Sequence, residues 1–226
     1  MAQLQTLSVE EQETLLDNAQ IDAVVAKRLV QKMSQFVSGY DLDNRKGFKY
    51  ETDDVLIQTV ILANAEDTLN VIYTNRNGEE EVKGSVVVEA DGQKTLIGYG
   101  VIEGEVTKIL ETEIDDAFLE EVKESENREL PDPEQAPEDV YEGVTAELKC
   151  IYGNWCGPGC SGPKAPISKV DSCCKSHDKC YGSRGYFACS CDNQLHICLN
   201  PYVWKGSQWA IVIDQWFYSQ PCNPFK

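Results

Sequence analysis

Asp171-Ser-Cys-Cys-Lys-Ser-His-Asp-Lys-Cys-Tyr181 is the stretch on which the reading of this chain turns. Ser168 and Asp171 mark a helix start, because short oxygen-bearing side chains accept from the free N–H groups of a first turn. On that helix His177 stacks with Cys173 and Cys174 one turn back, and with Cys180 and Tyr181 one turn ahead. Asp178 lies about 100° away around the axis, so the two side chains are aimed at different partners. Disulfides from neighbouring turns would clamp such a helix tightly.

Two further stretches work with it. Tyr152-Gly-Asn-Trp-Cys-Gly-Pro-Gly-Cys-Ser-Gly162 is too rich in Gly and Pro for a helix or strand and reads as a loop. Glycine lets a backbone turn its carbonyls inward around a hard cation. In Cys189-Ser-Cys-Asp-Asn-Gln-Leu-His-Ile-Cys198, the residues Cys191, Leu195 and Cys198 share one helix face. A bridge from Cys191 to the first helix would bring Asp192 to it.

Together the Y-G-x-W-C-G-x-G loop, the C-C-x-x-H-D-x-C-Y helix and the C-x-C-D segment resemble the secreted phospholipase A2 superfamily, in its small bacterial type. The resemblance covers about residues 150–226. It implies His177 as the base that activates a water, Asp192 as the carboxylate that fixes its tautomer, and Tyr181 as a hydrogen-bond donor to Asp192. It implies Ca²⁺ held by the Asp178 carboxylate and the backbone carbonyls of Trp155, Gly157 and Gly159. It also implies the bridges Cys156–Cys174, Cys173–Cys198 and Cys180–Cys191. Cys150, Cys160, Cys189 and Cys222 are left without assigned partners. All-oxygen ligation suits Ca²⁺ rather than zinc. The chain departs from larger members in the short His177–Asp192 spacing, which leaves room for two short antiparallel helices turned at Gly182–Gly185. It also lacks their amino-terminal amphipathic helix. His196 has no comparable company and reads as a helix-surface residue.

Composition divides the chain. All ten cysteines lie between Cys150 and Cys222. Residues 150–226 carry a formal charge of +3 and residues 1–149 one of −21. An even cysteine count in a short segment reads as a disulfide framework, and disulfides persist outside the cytosol. A secreted or extracytoplasmic location is therefore expected. Met1–Asp17 is polar and acidic, so it is no recognisable signal peptide. No apolar run is long enough to span a membrane. No nucleic-acid partner is expected of a chain this acidic.

Ser8 and Glu11 form a capping-box pattern that opens a first helix, and residues 20–37 repeat apolar side chains at helical spacing. Residues 55–110 switch to strand periodicity, with hairpin turns at Asn77-Gly78 and Asp91-Gly92. Residues 111–146 are acidic and contain Pro131, Pro133 and Pro137; they read as a tether holding one short helix at Asp115–Ser125.

The fold class expected is thus two domains. Residues 1–110 form an acidic α+β module with a helical hairpin and an antiparallel sheet. Residues 111–146 are an acidic, Pro-containing linker, a solvated tether by default and a protease-accessible activation site on the sharper reading. Residues 147–226 form a small, mainly-α, disulfide-rich, phospholipase A2-like domain. Trp209, Val212, Ile213, Trp216 and Phe217 make an amphipathic stripe that closes its core, with Trp204 and Tyr218 as the lipid contacts.

The activity implied is Ca²⁺-dependent hydrolysis of the sn-2 ester of phospholipids at a membrane surface. The acidic half would restrain it intramolecularly until the linker is cut. The competing reading is a membrane-active toxin or bacteriocin-type precursor, which uses the scaffold for binding and protects itself with its amino-terminal half.

Overall fold

Hairpin turns generate most of the sheet in the computed structural model, which describes residues 4–19, 23–37, 41–127, 150–157 and 160–222. Asn77 and Gly78 both take positive φ, as do Asp91 and Gly92. That backbone twist matches the twist of paired strands. A third such turn, Glu103-Gly104, was hidden because Glu is a poor hairpin signal. The strands are β1 (Leu4–Thr6), β2 (Asn44–Glu51), β3 (Leu56–Ala63), β4 (Leu69–Arg76), β5 (Glu79–Ala90), β6 (Gln93–Ile102) and β7 (Glu105–Ile114). They pair antiparallel in strict sequence order. The sheet is therefore larger than the 55–110 segment. Residues 111–127, expected in the tether, finish β7 and form helix α3 (Asp116–Asn127). The rest of that tether lies outside the described residues.

Helix α1 (Val9–Asp17) opens with the capping box of Ser8 and Glu11. Its buried Gln12 sits on Gly47 of β2, where a Cβ would come within 2.5 Å of the glutamine side chain. Among the described residues, helix α2 (Ala23–Met33) packs on β5, β6 and β7 rather than forming a hairpin with α1. Its Leu29 and Met33 join Leu69, Val71, Val86 and Ile97 in one apolar cluster.

Side chains alternate between the faces of a strand, and β4 shows the consequence. Leu69 and Val71 face α2, whereas Ile72 faces the other way. There it meets Ile57, Ile61, Phe48 and Tyr50 in a second cluster. The same cluster contains Leu195, Leu199 and Val203 of helix α5 (Cys189–Trp204), and Trp209–Ile213 of helix α6 (Gln208–Tyr218). The amino-terminal sheet and the carboxy-terminal helices differ in composition and secondary structure. They nonetheless share a core, contrary to what the charge split suggests. Each large apolar side chain buried there contributes about 1.5–3 kcal/mol. Helix α6 is buried on all sides from Trp209 to Gln215, because the sheet covers one face and the cystine-linked helices the other.

Helix α4 (Lys169–Arg184) runs antiparallel to α5. Cys173 bonds Cys198, and Cys180 bonds Cys191. Seven residues forward on α4 are matched by seven residues back on α5, about two turns in each helix.

Candidate functional site

The two bridges between α4 and α5 set the register that brings His177 to Asp192. The imidazole Nε2 lies 2.9 Å from Asp192 Oδ1. Both side chains are buried. The Tyr181 hydroxyl donates to the same carboxylate oxygen at 2.5 Å. An ionised carboxylate only accepts, so it selects the tautomer with the proton on Nε2 and leaves the Nδ1 lone pair free. Burial pushes the imidazole below its ordinary pKa, against the opposing pull of Asp192. Burial and then Asp192 push the Tyr181 hydroxyl up, so it stays a donor. The ring of His177 is held between Tyr181, at 4.1 Å, and the edge of Phe217 from α6, at 4.6 Å.

Nδ1 of His177 faces Asp178, whose Oδ1 is 3.9 Å away. That separation is too long for a hydrogen bond. The other oxygen, Asp178 Oδ2, is buried with no hydrogen-bond partner among the described residues. Burial raises the Asp178 carboxyl to about 6, with Asp171 adding to the effect and a bond from Ser161 opposing it. An orphaned buried carboxylate oxygen is costly unless something positive meets it.

The glycine-rich loop is placed by covalent and polar ties. Cys156–Cys174 joins it to α4, and Cys150–Cys160 closes it at its base. Cys189–Cys222 ties the start of α5 to the chain after α6. These pairings include the three that the resemblance implied and fix the four cysteines left open.

Asp171, seen from sequence only as a helix-start residue, is fully buried and holds the loop. Its carboxylate accepts from the backbone N–H groups of Asn154 (3.0 Å), Trp155 (2.9 Å) and Ile167 (3.0 Å). Gly153 has φ +63° and lies so close that a Cβ there would stand 2.4 Å from the Asp171 carboxyl carbon. The Trp155 indole donates to the Lys164 carbonyl, and the Lys175 ammonium sits 4.7 Å over its ring.

Trp155 and Gly157 are thus fixed beside α4; Gly159 lies outside the described residues. The Gly157 carbonyl accepts from Cys160 N–H at 3.1 Å and keeps a second lone pair. Among the described residues, no group of three or more His, Cys, Asp or Glu side chains could hold a metal. A cation here would therefore depend on backbone oxygens plus Asp178. The residues present fit such a hard cation: one carboxylate oxygen lacks a partner, and the loop is pinned by glycine and Asp171.

Two expectations change. Trp204 does not contact solvent or lipid, because Gly98 and Gly100 of β6 leave room for its ring under the sheet. His196 is not a free surface residue. Its Nδ1 is 2.7 Å from Asp214 Oδ1 on α6, and its ring stacks on Tyr218. Tyr218 is exposed, and so on the α4–α5 connection are Tyr186, 71% exposed, and Phe187, 52% exposed and at φ +63°. Tyr186 touches the Tyr181 ring at 5.6 Å. A connection this short gave no periodicity by which to find them.

No family model matches the chain, and no solved structure matches it. Curated proteins do. The chain is 37% identical over 65 residues to the "Acidic phospholipase A2 homolog taipoxin gamma chain" of Oxyuranus scutellatus scutellatus, covering 25% of this chain and 41% of that one. It is 50% identical over 63 residues to "Phospholipase A2 SSD387" of Scolopendra dehaani, covering 28% of this chain and 41% of the relative. It is 41% identical over 46 residues to "Acidic phospholipase A2 S17-58" of Austrelaps superbus, covering 19% of this chain and 29% of the relative. The chain spans at most about two fifths of the length of these relatives. Over its disulfide-rich carboxy-terminal region the chain is homologous to secreted phospholipases A2, and that region fits a phospholipase A2-like domain.

Proposed function

We propose that the carboxy-terminal region hydrolyses the sn-2 ester of phospholipids at a lipid surface, with Ca²⁺ as cofactor. One observation carries this reading: His177 is fixed by Asp192 through Nε2 while Nδ1 opens toward an incompletely partnered Asp178. A satisfied structural histidine needs no such open side.

His177 Nδ1 accepts a proton from water, and the oxygen adds to the ester carbonyl carbon. The imidazolium that forms is stabilised by Asp192 across Nε2–H, with Tyr181 holding the carboxylate in place. When the ester C–O bond breaks, Nδ1–H returns its proton to the departing alkoxide. The products are a fatty acid and a lysophospholipid. Asp178 with the carbonyls of Trp155, Gly157 and Gly159 would hold Ca²⁺. Bound there, Ca²⁺ would polarise the ester carbonyl and offset the charge on its oxygen. The Gly157 N–H would add a backbone donor to that oxygen. Tyr186 and Phe187 would enter the lipid interface.

Five disulfides suit an oxidising, extracytoplasmic compartment. Restraint by the acidic half is not part of this reading. The contacts joining the halves include an anchor at Trp204, twelve residues and about 18 Å along α5 from Asp192.

Phosphatidylglycerol vesicles with distinguishable acyl chains test the proposal. The oxidised chain should release the sn-2 acid. Release of the sn-1 acid alone, or of phosphorylated head group, would overturn it.

A further inference from the structure

We infer that the amino-terminal sheet grips the Trp204–Ser207 turn strongly enough to remain bound when the connecting segment 128–149 is cut, so that a chain break alone does not free the disulfide-linked helices. The inference does not rest on the hydrolase reading.

All ten cysteines pair within residues 150–222, so no disulfide joins the two parts. What joins them, apart from the connecting segment, is the interface itself. Its anchor is Trp204, buried in a hollow made by two glycines. A Cβ on Gly98 would stand 2.8 Å from the indole, and the Lys83 ammonium lies 5.3 Å over its ring. The next residue, Lys205, has its side chain almost wholly buried and pairs with Asp67 at 2.6 Å.

Main-chain groups of the turn are met as well. The Trp204 carbonyl accepts from Ser85 Oγ at 2.7 Å, and the Lys205 carbonyl from Asn70 Nδ2 at 3.3 Å. Gly206, at φ +86°, lies against Ile61. Helix α3 adds Ser125 beside Ser207 and a Glu126 carbonyl that accepts from Gln208.

A buried tryptophan, a buried ammonium paired with a half-exposed carboxylate, and satisfied polar groups around them are the pattern of an interface centre that dominates binding. Apolar cover adds to it. Ile57, Ile61 and Ile72 of the sheet pack in one cluster with Leu199, Val203 and Ile211 of α5 and α6. Once parted, both halves would expose that surface to water. Separation is therefore opposed by far more than the tether.

The full oxidised chain with a sequence-specific protease site placed between residues 128 and 149 tests this. After complete cutting, the inference predicts that both fragments sediment together at micromolar concentration, in equal amounts. Gly98→Val fills the indole's hollow with a side chain that strands favour. Asp67→Asn removes the partner of the buried ammonium while tolerating the positive φ at that position. Each should speed dissociation of the cut protein by about tenfold or more. Asp67, half exposed, guards against a folding failure of the first variant. Separation of the cut native protein, or dissociation by cut Asp67→Asn as slow as native, would overturn the inference. His177→Gln should behave as native, whatever its activity.

Discussion

His177 and Asp192 meet 2.9 Å apart on helices whose two cystines share one antiparallel register, so the dyad is set covalently rather than by soft packing. Asp192→Asn keeps the shape but no longer demands the Nε2–H tautomer. Activity should fall by about 10²–10⁴-fold with little change in melting temperature. Initial rates of fatty-acid release with parallel calorimetry check this, and a loss below tenfold would contradict the role given to Asp192.

The sign of the pH dependence follows from Asp178. Its carboxyl is raised to about 6 by burial, whereas the neighbouring imidazole is pushed down. Cation binding needs the carboxylate, so Ca²⁺ affinity should be constant above pH 7 and fall about tenfold per unit below 6. Saturating Ca²⁺ should partly restore the rate lost to weakened cation binding. Without Ca²⁺, the stability that a raised carboxyl contributes is present below its ordinary value of 3.8 and lost as pH rises through about 6. Added Ca²⁺ should therefore raise the melting temperature more at pH 7 than at pH 5.

Asp171→Ala removes the acceptor of three loop N–H groups. Each unmet buried donor costs about 1–3 kcal/mol. The variant should melt lower and bind Ca²⁺ at least about tenfold more weakly, though Asp171 is no ligand in this account. Titration calorimetry on the folded variant reads the second effect; unchanged Ca²⁺ affinity would remove the positioning role.

Tyr186 and Phe187 lie on the exposed connection between α4 and α5. Replacing both by Ser should cut vesicle hydrolysis several-fold while sparing hydrolysis of a dispersed short-chain substrate. Equal losses on both substrates would place these rings in the chemistry rather than at the interface.

The sequence was most readable where spacing is local. The cystine helix, the capping box at Ser8, and the Asn77-Gly78 and Asp91-Gly92 turns all depend on residues a few positions apart. Strand β2 and the last four residues of β7 fall outside the strand-like 55–110 segment because Lys and Glu crowd these strands. In β7 those charges cover a sheet edge, which shields it from further pairing. For Asp171, which does stand in the first turn of its helix, and for His196 and Trp204, the long-range contacts are not legible in the sequence for one shared reason. Their partners are Asn154, Trp155 and Ile167, then Asp214, then Gly98 and Gly100. These come from other elements, and no periodicity along one helix reveals them. The joint core was hidden by net charge, which reports the solvent faces and not the apolar faces that meet.

Fatty-acid release from phosphatidylglycerol vesicles by the oxidised full chain, with Ca²⁺ and with chelator, native beside His177→Gln, bears most directly on the central claim. The account predicts release that needs both the cation and the imidazole. Release that persists in His177→Gln, or that ignores chelation, would contradict it.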